Sequence, residues 1–355
     1  MRPVSATIDL EALRHNLAIA RRHAPRSRVF AVVKANAYGH GLMRAARALY
    51  DADGYALVEL DAAVRLREAG YQQRIALLEG HFEARELAVM VQHKLTTVVH
   101  TAEQLEMLDA LPAGSALDVM LKLNTGMNRL GLEPADFACA LARLQSRPGV
   151  ADITLMTHFA NADDARGIAR ELEAFERAAG GTKLPVSLAN SATVLRYPQA
   201  HGDWVRPGIM LYGCSPFAES VGSDLGLRPA MTLASAIISV RDVAGGQSVG
   251  YGSAYTAEEA TRVGVVACGY ADGYPRHAPT GTPVLVDGRL TRTLGRVSMD
   301  MLFVDLTGIG EARIGSRVVL WGVGNPVEHV AHSAGTVGYE LLCALAPRVR
   351  IIEKP

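Results

Sequence analysis

A lysine stands at the end of the first strongly apolar segment of the chain. Residues 29–33 read Val-Phe-Ala-Val-Val, mostly β-branched or aromatic, and predict a short strand buried on both faces. Lys34 follows directly, before a loop of small and polar residues with two glycines. An ammonium is costly to desolvate, but an amine is also the group that bonds covalently with carbonyl compounds. Lys34 is therefore a candidate nucleophile, although a lysine that merely reaches solvent at a strand end gives the same pattern.

The elements that must position this lysine follow a regular alternation of strands and helices. Residues 9–23 predict an amphipathic helix with Leu10, Leu13, Leu17 and Ala20 on one face and Asp9 as its cap. Strand-plus-helix units then recur, with predicted strands at 29–33, 54–58, 75–78, 96–100, 116–123, 153–158, 186–189 and 204–211. Units of this number and length predict a closed parallel (β/α)8 barrel. An open doubly wound sheet is less favoured, because no glycine-rich phosphate loop follows any predicted strand.

Barrel enzymes carry their chemistry at the carboxyl ends of the strands. The residues that leave those ends here are cations and hydrogen-bonding groups: Lys34, His100, Lys122, His158, Asn190, Ser191 and Arg206. Residues 190–192 and 206–209 follow the last two strands, where barrels commonly bind a phosphate. The Ser191 hydroxyl and the backbone N–H groups of these loops are suitable donors for such an anion.

The second part of the chain has a different pattern. Strands are predicted at 232–240, 263–267, 282–286, 302–305 and 318–321, with helices at 327–334 and from 337 to 345. We therefore predict a barrel domain over 1–229 and a mostly β domain over 230–355. Three clusters in the β domain, residues 249–252, 269–274 and 296–300, offer phenols, carboxylates and glycines. Ordinary hairpin turns would contain similar residue types.

Composition limits the classes of function. The 355 residues are 49% hydrophobic and carry 36 basic and 36 acidic side chains, so no overall field attracts nucleic acid or an acidic membrane. No apolar run has the length of a signal peptide or a spanning helix, and the four cysteines are dispersed. His329 and His332 fit a solvent-facing helix better than a metal pair. A cytoplasmic protein without a metal is expected.

The motifs, taken together, resemble one family. Residues 32–41, Val-Val-Lys-Ala-Asn-Ala-Tyr-Gly-His-Gly, are similar to the signature of alanine racemases that use pyridoxal 5′-phosphate (PLP). The resemblance continues in order through 124–131, 157–160, 190–192, 206–213, 250–252, 269–273, 298–300 and 335–340. That family has an eight-stranded α/β barrel followed by a β domain, in agreement with the prediction made without it. The resemblance implies a racemase that interconverts L-alanine and D-alanine.

The resemblance also implies roles for individual residues. Racemisation needs a proton carrier on each face of the substrate Cα; these would be Lys34, which also holds PLP covalently, and Tyr251. Tyr251 would come from the partner subunit, which implies a homodimer with shared active sites. PLP would be bound by Lys34, Tyr38, His158, Asn190, Ser191, Arg206, Gly208, Ile209 and Tyr339. The substrate would be bound or approached by Arg129, Met299, Tyr270 and Asp300.

Lys122 carries a further hypothesis from the resemblance. Two cations that converge on one site repel each other, and in the family this lysine is often carbamylated, so that it can pair with the arginine corresponding to Arg129. Asn124 stands where many relatives have aspartate, which alters the local charge balance.

Three alternatives remain. A racemase of broader specificity (alanine and serine) would share these motifs, but such enzymes are usually exported. A PLP-binding barrel protein without racemase activity typically lacks a β domain. A decarboxylase of basic amino acids would have no role for Tyr251.

Overall fold

The computed structural model describes residues 2–111 and 114–355. The chain forms two compact units. The barrel unit contains Leu17–Ala37 and Gly41–Leu211, and the β unit contains the residues up to Asn16, Tyr38–His40 and Tyr212–Pro355. The predicted boundary after residue 229 assigns the beginning of the chain to the barrel, whereas the structure groups the segment up to Asn16 with the β unit.

The barrel unit closes as predicted. After β1 (Ser5–Asp9), eight strands pair in parallel in chain order, and β9 returns to β2 through Arg28 and Trp204. These strands are β2 (Arg28–Val32), β3 (Gly54–Leu57), β4 (Arg74–Leu77), β5 (Thr96–Val99), β6 (Leu117–Lys122), β7 (Val150–Met156), β8 (Val186–Ser187) and β9 (Trp204–Val205). Strands such as β3 and β5 are buried along their whole length, as expected for a parallel sheet covered on both faces.

Helices alternate with the strands. They are α1 (Leu10–His23), α2 (Leu42–Ala48), α3 (Leu60–Glu68), α4 (Glu86–Gln92), α5 (Ala102–Met107), α6 (Pro134–Gln145), α7 (Ala169–Ala179) and α8 (Ser191–Arg196). The predicted apolar face of α1 is buried, and the Asp9 carboxylate accepts the N–H of Ala12, which confirms the predicted cap. Within the described residues, no helix is both long and apolar enough to cross a membrane.

Several predicted boundaries are wrong. The strand predicted over 204–211 ends at Val205, because Pro207 and Gly208 interrupt it and a 3-10 turn, Ile209–Tyr212, follows. Apolar periodicity alone would begin the helices after β4 and β7 at residues 81 and 164, but they begin at Glu86 and Ala169. Apolar periodicity marks the buried face of a helix well, but it does not mark its first turn.

The segment after Lys34 has an unusual backbone. Ala35, Asn36, Ala37 and Tyr38 have φ between 50° and 55°, so they form a left-handed turn. This conformation costs about 1–2 kcal/mol per residue for residues with a Cβ. In the barrel unit, Asn36 stabilises the turn, because its side-chain oxygen accepts the N–H of Leu42 at 2.9 Å. This hydrogen bond thus helps to hold the chain after β2 in a backbone conformation that residues with a Cβ disfavour.

The β unit is built on one eight-stranded sheet. Its strands, in spatial order, are β13 (Thr261–Val266), β16 (Leu302–Asp305), β15 (Arg289–Leu294), β14 (Pro283–Val286), β17 (Arg317–Trp321), β10 (Met231–Val243), β1 and β18 (Arg350–Lys354). A short ribbon of β11 (Ser248–Val249) and β12 (Tyr255–Thr256), and helices α9 (Val327–Ser333) and α10 (Gly338–Cys343), complete it. The sequence analysis missed β1, which pairs antiparallel with β10 and parallel with β18.

Candidate active site

The barrel unit brings the predicted cations together at the carboxyl ends of its strands. Lys34 follows β2, Lys122 ends β6, and Arg206 follows β9 directly. Burial, followed by the charges of Arg206, Arg129 and Lys34, lowers the pKa of Lys122 to about 8. Within the described residues, neither Lys122 nor Arg206 forms an ion pair with a carboxylate. Such a cluster of positive charges is suited to binding an anionic ligand.

Arg206 is fixed by the barrel itself. Its Nη1 donates to the Ser187 backbone oxygen at 2.6 Å and to the Ser187 hydroxyl at 2.7 Å. Its Nη2 donates to the backbone oxygens of Thr157 at 2.7 Å and Leu188 at 3.2 Å. The Nε–H group has no acceptor among the residues that the structure describes. A rigid donor is therefore available for one acceptor atom of a ligand, such as the nitrogen of an unprotonated pyridine ring.

The tautomer of His158 follows from its neighbour. The Nη2 of Arg206 lies 3.4 Å from His158 Nδ1. Since a guanidinium only donates, Nδ1 is the acceptor, and the proton of the neutral ring is on Nε2. Burial first, and then the charge of Arg206, place the pKa of His158 well below its usual value. His158 is thus a neutral imidazole whose Nε2–H can donate a hydrogen bond.

The loops after β8 and β9 are the region that the sequence predicts to bind a phosphate. The Ser191 hydroxyl oxygen accepts the N–H of Gly208 at 2.9 Å, which leaves the hydroxyl hydrogen for a ligand. Ile209 begins a 3-10 turn, so its N–H has no acceptor within that turn. The Asn190 side chain caps α8 by accepting the N–H of Thr193 at 3.0 Å, and it donates to the Phe159 backbone oxygen. Asn190 therefore orders the loop, and Gly208 supports the serine.

Two further residues predicted to bind the cofactor lie in the β unit. The ring of Tyr38 stacks on Tyr212 with centroids 4.6 Å apart, and its centroid is 6.2 Å from that of Tyr339. Burial raises the pKa of Tyr38, so its phenol stays protonated and can donate. Gly39 is required next to it, because a Cβ there would lie 2.1 Å from the Leu342 backbone oxygen.

Tyr251 lies on an exposed turn of the β unit. It follows the β11 strand, between Gly250 and Gly252, which both have positive φ. Its side chain is 72% exposed. An exposed phenol on a turn of glycines is accessible to a second molecule, as a residue that serves a partner subunit must be.

A buried carboxylate organises the other predicted substrate residues of the β unit. Asp272, fully buried, accepts from Arg2 and Arg348, each at 2.7 Å, and from the N–H of Gly269 at 3.0 Å. Arg348 also donates to the Asp300 carboxylate at 2.6 Å. The two arginines keep the pKa of Asp272 low in spite of burial.

The same network fixes the loop that carries Met299. The N–H groups of Tyr270 and Ala271 donate to the backbone oxygens of Ser298 and Met299, at 3.1 and 3.0 Å. Met299 and Tyr270 thus lie on one exposed, tightly connected surface of the β unit.

The sequence analysis did not identify the residues that support the predicted site residues through hydrogen bonds. Ser187, Thr157 and Asp272 were not identified, although Asp272 lies within the cluster 269–274. Arg2 and Arg348 are separated from Asp272 by long stretches of chain, so no local pattern could reveal them. Polar residues predicted inside buried strands, such as Ser187 and Thr157, are the signal that was available.

These features define a class: (β/α)8-barrel enzymes with a lysine-centred cationic site and a C-terminal β domain. Family models for the alanine racemase N-terminal domain and C-terminal domain match residues 8–216 and 230–353. The chain belongs to the alanine racemase family.

Individual relatives agree over the full length. An alanine racemase of Nitrosospira multiformis is 62% identical over 98% of this chain and 99% of the relative. The crystal structure of the biosynthetic alanine racemase of Pseudomonas aeruginosa superposes with a TM-score of 0.98 at 51% identity, and covers 100% of both chains. The alanine racemase of Acinetobacter baumannii gives a TM-score of 0.93 at 37% identity, covering 100% of both chains.

Proposed function

We propose that this protein interconverts L-alanine and D-alanine with PLP as its cofactor. The observation that carries the proposal is the anchoring of Arg206. Its Nη groups donate to backbone and serine oxygens of the barrel and contact His158 Nδ1, and its Nε–H remains for a ligand. A permanent donor of this kind suits an unprotonated pyridine nitrogen, because a guanidinium does not give up its proton. The names of the full-length relatives support alanine as the substrate.

The residues present fit PLP as a group. Lys34 would hold it covalently, Arg206 would contact its ring nitrogen, and its phosphate would be bound by Ser191, Ile209, Tyr38 and Tyr339. When bound, PLP would take up the amino group of the amino acid in place of the Lys34 amine and withdraw electrons from it, so that its α proton becomes easier to remove. The protein contributes the placement of the proton carriers and the charge around them.

Two carriers on opposite faces of Cα account for inversion. We assign the Lys34 amine to one face and the Tyr251 phenol of the partner subunit to the other. A phenol releases its proton only if its oxygen is stabilised, and the Nε2–H of His158 is the donor available for this purpose. Arg206 fixes that tautomer from the opposite side of the imidazole. Arg129 and Met299 would hold the substrate carboxylate and the tyrosine phenol in their relative positions. Tyr270 and Asp300 would line the path by which the substrate enters.

The assembly and location follow from the same proposal. Because Tyr251 would complete the site of another subunit, the protein would be a homodimer with two shared sites. We place it in the cytoplasm, as for the family in general, and propose carbamylated Lys122 as the partner of Arg129.

The test combines a spectrum with a chiral assay. Purified protein should show the visible absorption of lysine-bound PLP and should form D-alanine from L-alanine. Lys34→Ala should lose both properties. Absorption without racemisation would favour a PLP-binding protein of another function, and equal turnover of serine would favour a racemase of broader specificity.

A further inference from the structure

The loop that carries Arg129 is closed at its base by backbone hydrogen bonds. Residues 124–131, which we call the Arg129 loop, leave the end of β6 and return beside it. The N–H of Leu132 donates to the Lys122 backbone oxygen, and the N–H of Asn124 donates to the Leu132 backbone oxygen, both at 2.9 Å. Gly131 permits this closure, because a Cβ there would lie 2.4 Å from the Asn124 nitrogen. The base of the loop is therefore rigid.

The Asn124 side chain makes hydrogen bonds across the loop. The Oδ1 of Asn124 accepts the N–H groups of Gly126 and Asn128, both at 3.1 Å. Its Nδ2 donates to Asn128 Oδ1 at 2.8 Å and to Glu133 Oε1 at 2.9 Å. The amide thus makes all four hydrogen bonds of which it is capable, and its orientation is fully determined.

The arrangement also supports a strained backbone beside the arginine. Asn128 has φ of 55°, in the left-handed region, and both its N–H and its side chain are held by Asn124. Arg129 is the next residue. Its side chain is exposed and makes no hydrogen bond or ion pair with the described residues. Among the described residues, only the backbone at residue 129 therefore fixes the direction in which this side chain leaves the loop.

We propose that Asn124, supported by the Glu133 carboxylate, is a positioning residue that sets Arg129 for the substrate carboxylate. The inference rests on the proposed function, which assigns Arg129 to the substrate. Asn124 is 9% exposed and acts only through the loop. Glu133 Oε1 accepts from Asn124 Nδ2, so an amide suits residue 124, whereas a second carboxylate there would repel Glu133.

The decisive variant is Asn124→Asp, which keeps the shape and the acceptor but replaces the donor by a second carboxylate oxygen. This oxygen would face Glu133 Oε1 and Asn128 Oδ1, so the loop should loosen. We expect the KM for both alanine enantiomers to rise about fivefold with kcat changed less than about twofold. Adding Glu133→Gln restores a donor opposite the new carboxylate and should return KM to near its original value. Gln72→Glu, the same change at an exposed site, is the control.

A second measurement does not depend on turnover. Hydrogen exchange of the amides at residues 126 and 128 should accelerate in Asn124→Asp and recover in the double variant. If Asn124→Asp does not fold, Glu133→Ala, which removes only the outer acceptor, should raise KM about twofold.

The outcomes separate the two proposals. A wild-type protein that does not racemise alanine rejects the proposed function. A wild-type racemase whose KM is unchanged by Asn124→Asp, or is not recovered by Glu133→Gln, rejects the positioning role alone.

Discussion

Arg206 is buried, and its charge adds to the effect of burial on the ionisation of His158 and Lys122. Burial lowers its own pKa only to about 10, so it stays charged at neutral pH. Burial first, and then the charge of Arg206, lower the pKa values of His158 and Lys122. At the scale of single residues, Arg206 is therefore a permanent cation beside a neutral imidazole, His158, and a lysine, Lys122, whose pKa is about 8.

The titration of Lys122 leads to a prediction about its modification. A pKa of about 8 gives a larger fraction of neutral amine at pH 7–8 than an ordinary lysine has. The neutral amine adds to CO2, forming an N–C bond and releasing one proton. Native mass spectrometry at pH 8 with bicarbonate should show one added CO2 per chain, and the added mass should decrease as the pH falls well below 8.

The Lys122→Arg variant is the control for this measurement, because a guanidinium does not form the adduct. An unmodified mass at pH 8 in the wild-type protein would contradict the carbamylation and leave a bound anion as the neutralising partner.

Replacement of Tyr251 by phenylalanine should abolish racemisation without releasing the cofactor. The variant removes one of two proton carriers, so alanine turnover should fall at least ~100-fold while the visible absorption stays. The remaining Lys34 can still remove and return a proton on its own face. In deuterium oxide, one alanine enantiomer should therefore exchange its α proton and the other should not.

Tyr50→Phe is the matched control, since Tyr50 is also largely exposed and lies outside every motif of the site. Loss of PLP absorption in Tyr251→Phe to the same extent as loss of activity would exclude a role as proton carrier.

At the scale of elements, the barrel was predictable because each of its strands carries a local signal. Strands such as Gly54–Leu57 and Thr96–Val99 are short runs of apolar or β-branched residues between polar segments, and the strands that neighbour them in sequence also neighbour them in the sheet. Strand β1 was missed for the opposite reason. Its five residues pair with β10 and β18, more than 200 positions away, so its alternation of apolar and polar residues had no nearby partner to support it.

The candidate site shows the same division. Lys34, His158 and Arg206 were found because they follow strands, and a motif or a strand end marks them. The residues that hold them were not found, since Ser187 is separated from Arg206 by a helix and the left-handed turn after Lys34 leaves no trace in residue types. Alanine disfavours that conformation, so propensity alone predicts the wrong backbone there.

The left-handed turn gives a prediction about stability. Ala35 is exposed and has φ of 51° and ψ of 52°, so Ala35→Gly relieves strain without removing a buried methyl group. We expect it to raise the free energy of unfolding by about 1 kcal/mol. Ala138→Gly, at an exposed position inside the right-handed α6 helix, should lower it by about 1 kcal/mol. Denaturant titration measures both, and a loss of stability in Ala35→Gly similar to that in Ala138→Gly would contradict the left-handed conformation.

At the scale of the whole molecule, the β unit is tied together by both ends of the chain. Strands β1 and β18 add to its sheet, and Arg2 and Arg348 both bind the Asp272 carboxylate. The surface that carries Tyr270 and Met299 therefore depends on residues near the two termini. Such a well-connected surface would suit a contribution to the shared site of the proposed homodimer.

Subunit mixing tests whether the active site is shared. Lys34→Ala and Tyr251→Phe should each be inactive as homodimers. In a mixed dimer, one site would combine both substitutions, and the other would have the intact Lys34 of one subunit and the intact Tyr251 of the other. Random reassociation of equal amounts makes half of the dimers mixed, with one working site of two, so about a quarter of the wild-type activity should return. Mixing either variant with itself is the control. If both residues of a site came from the same subunit, no mixture of these two inactive proteins would regain activity.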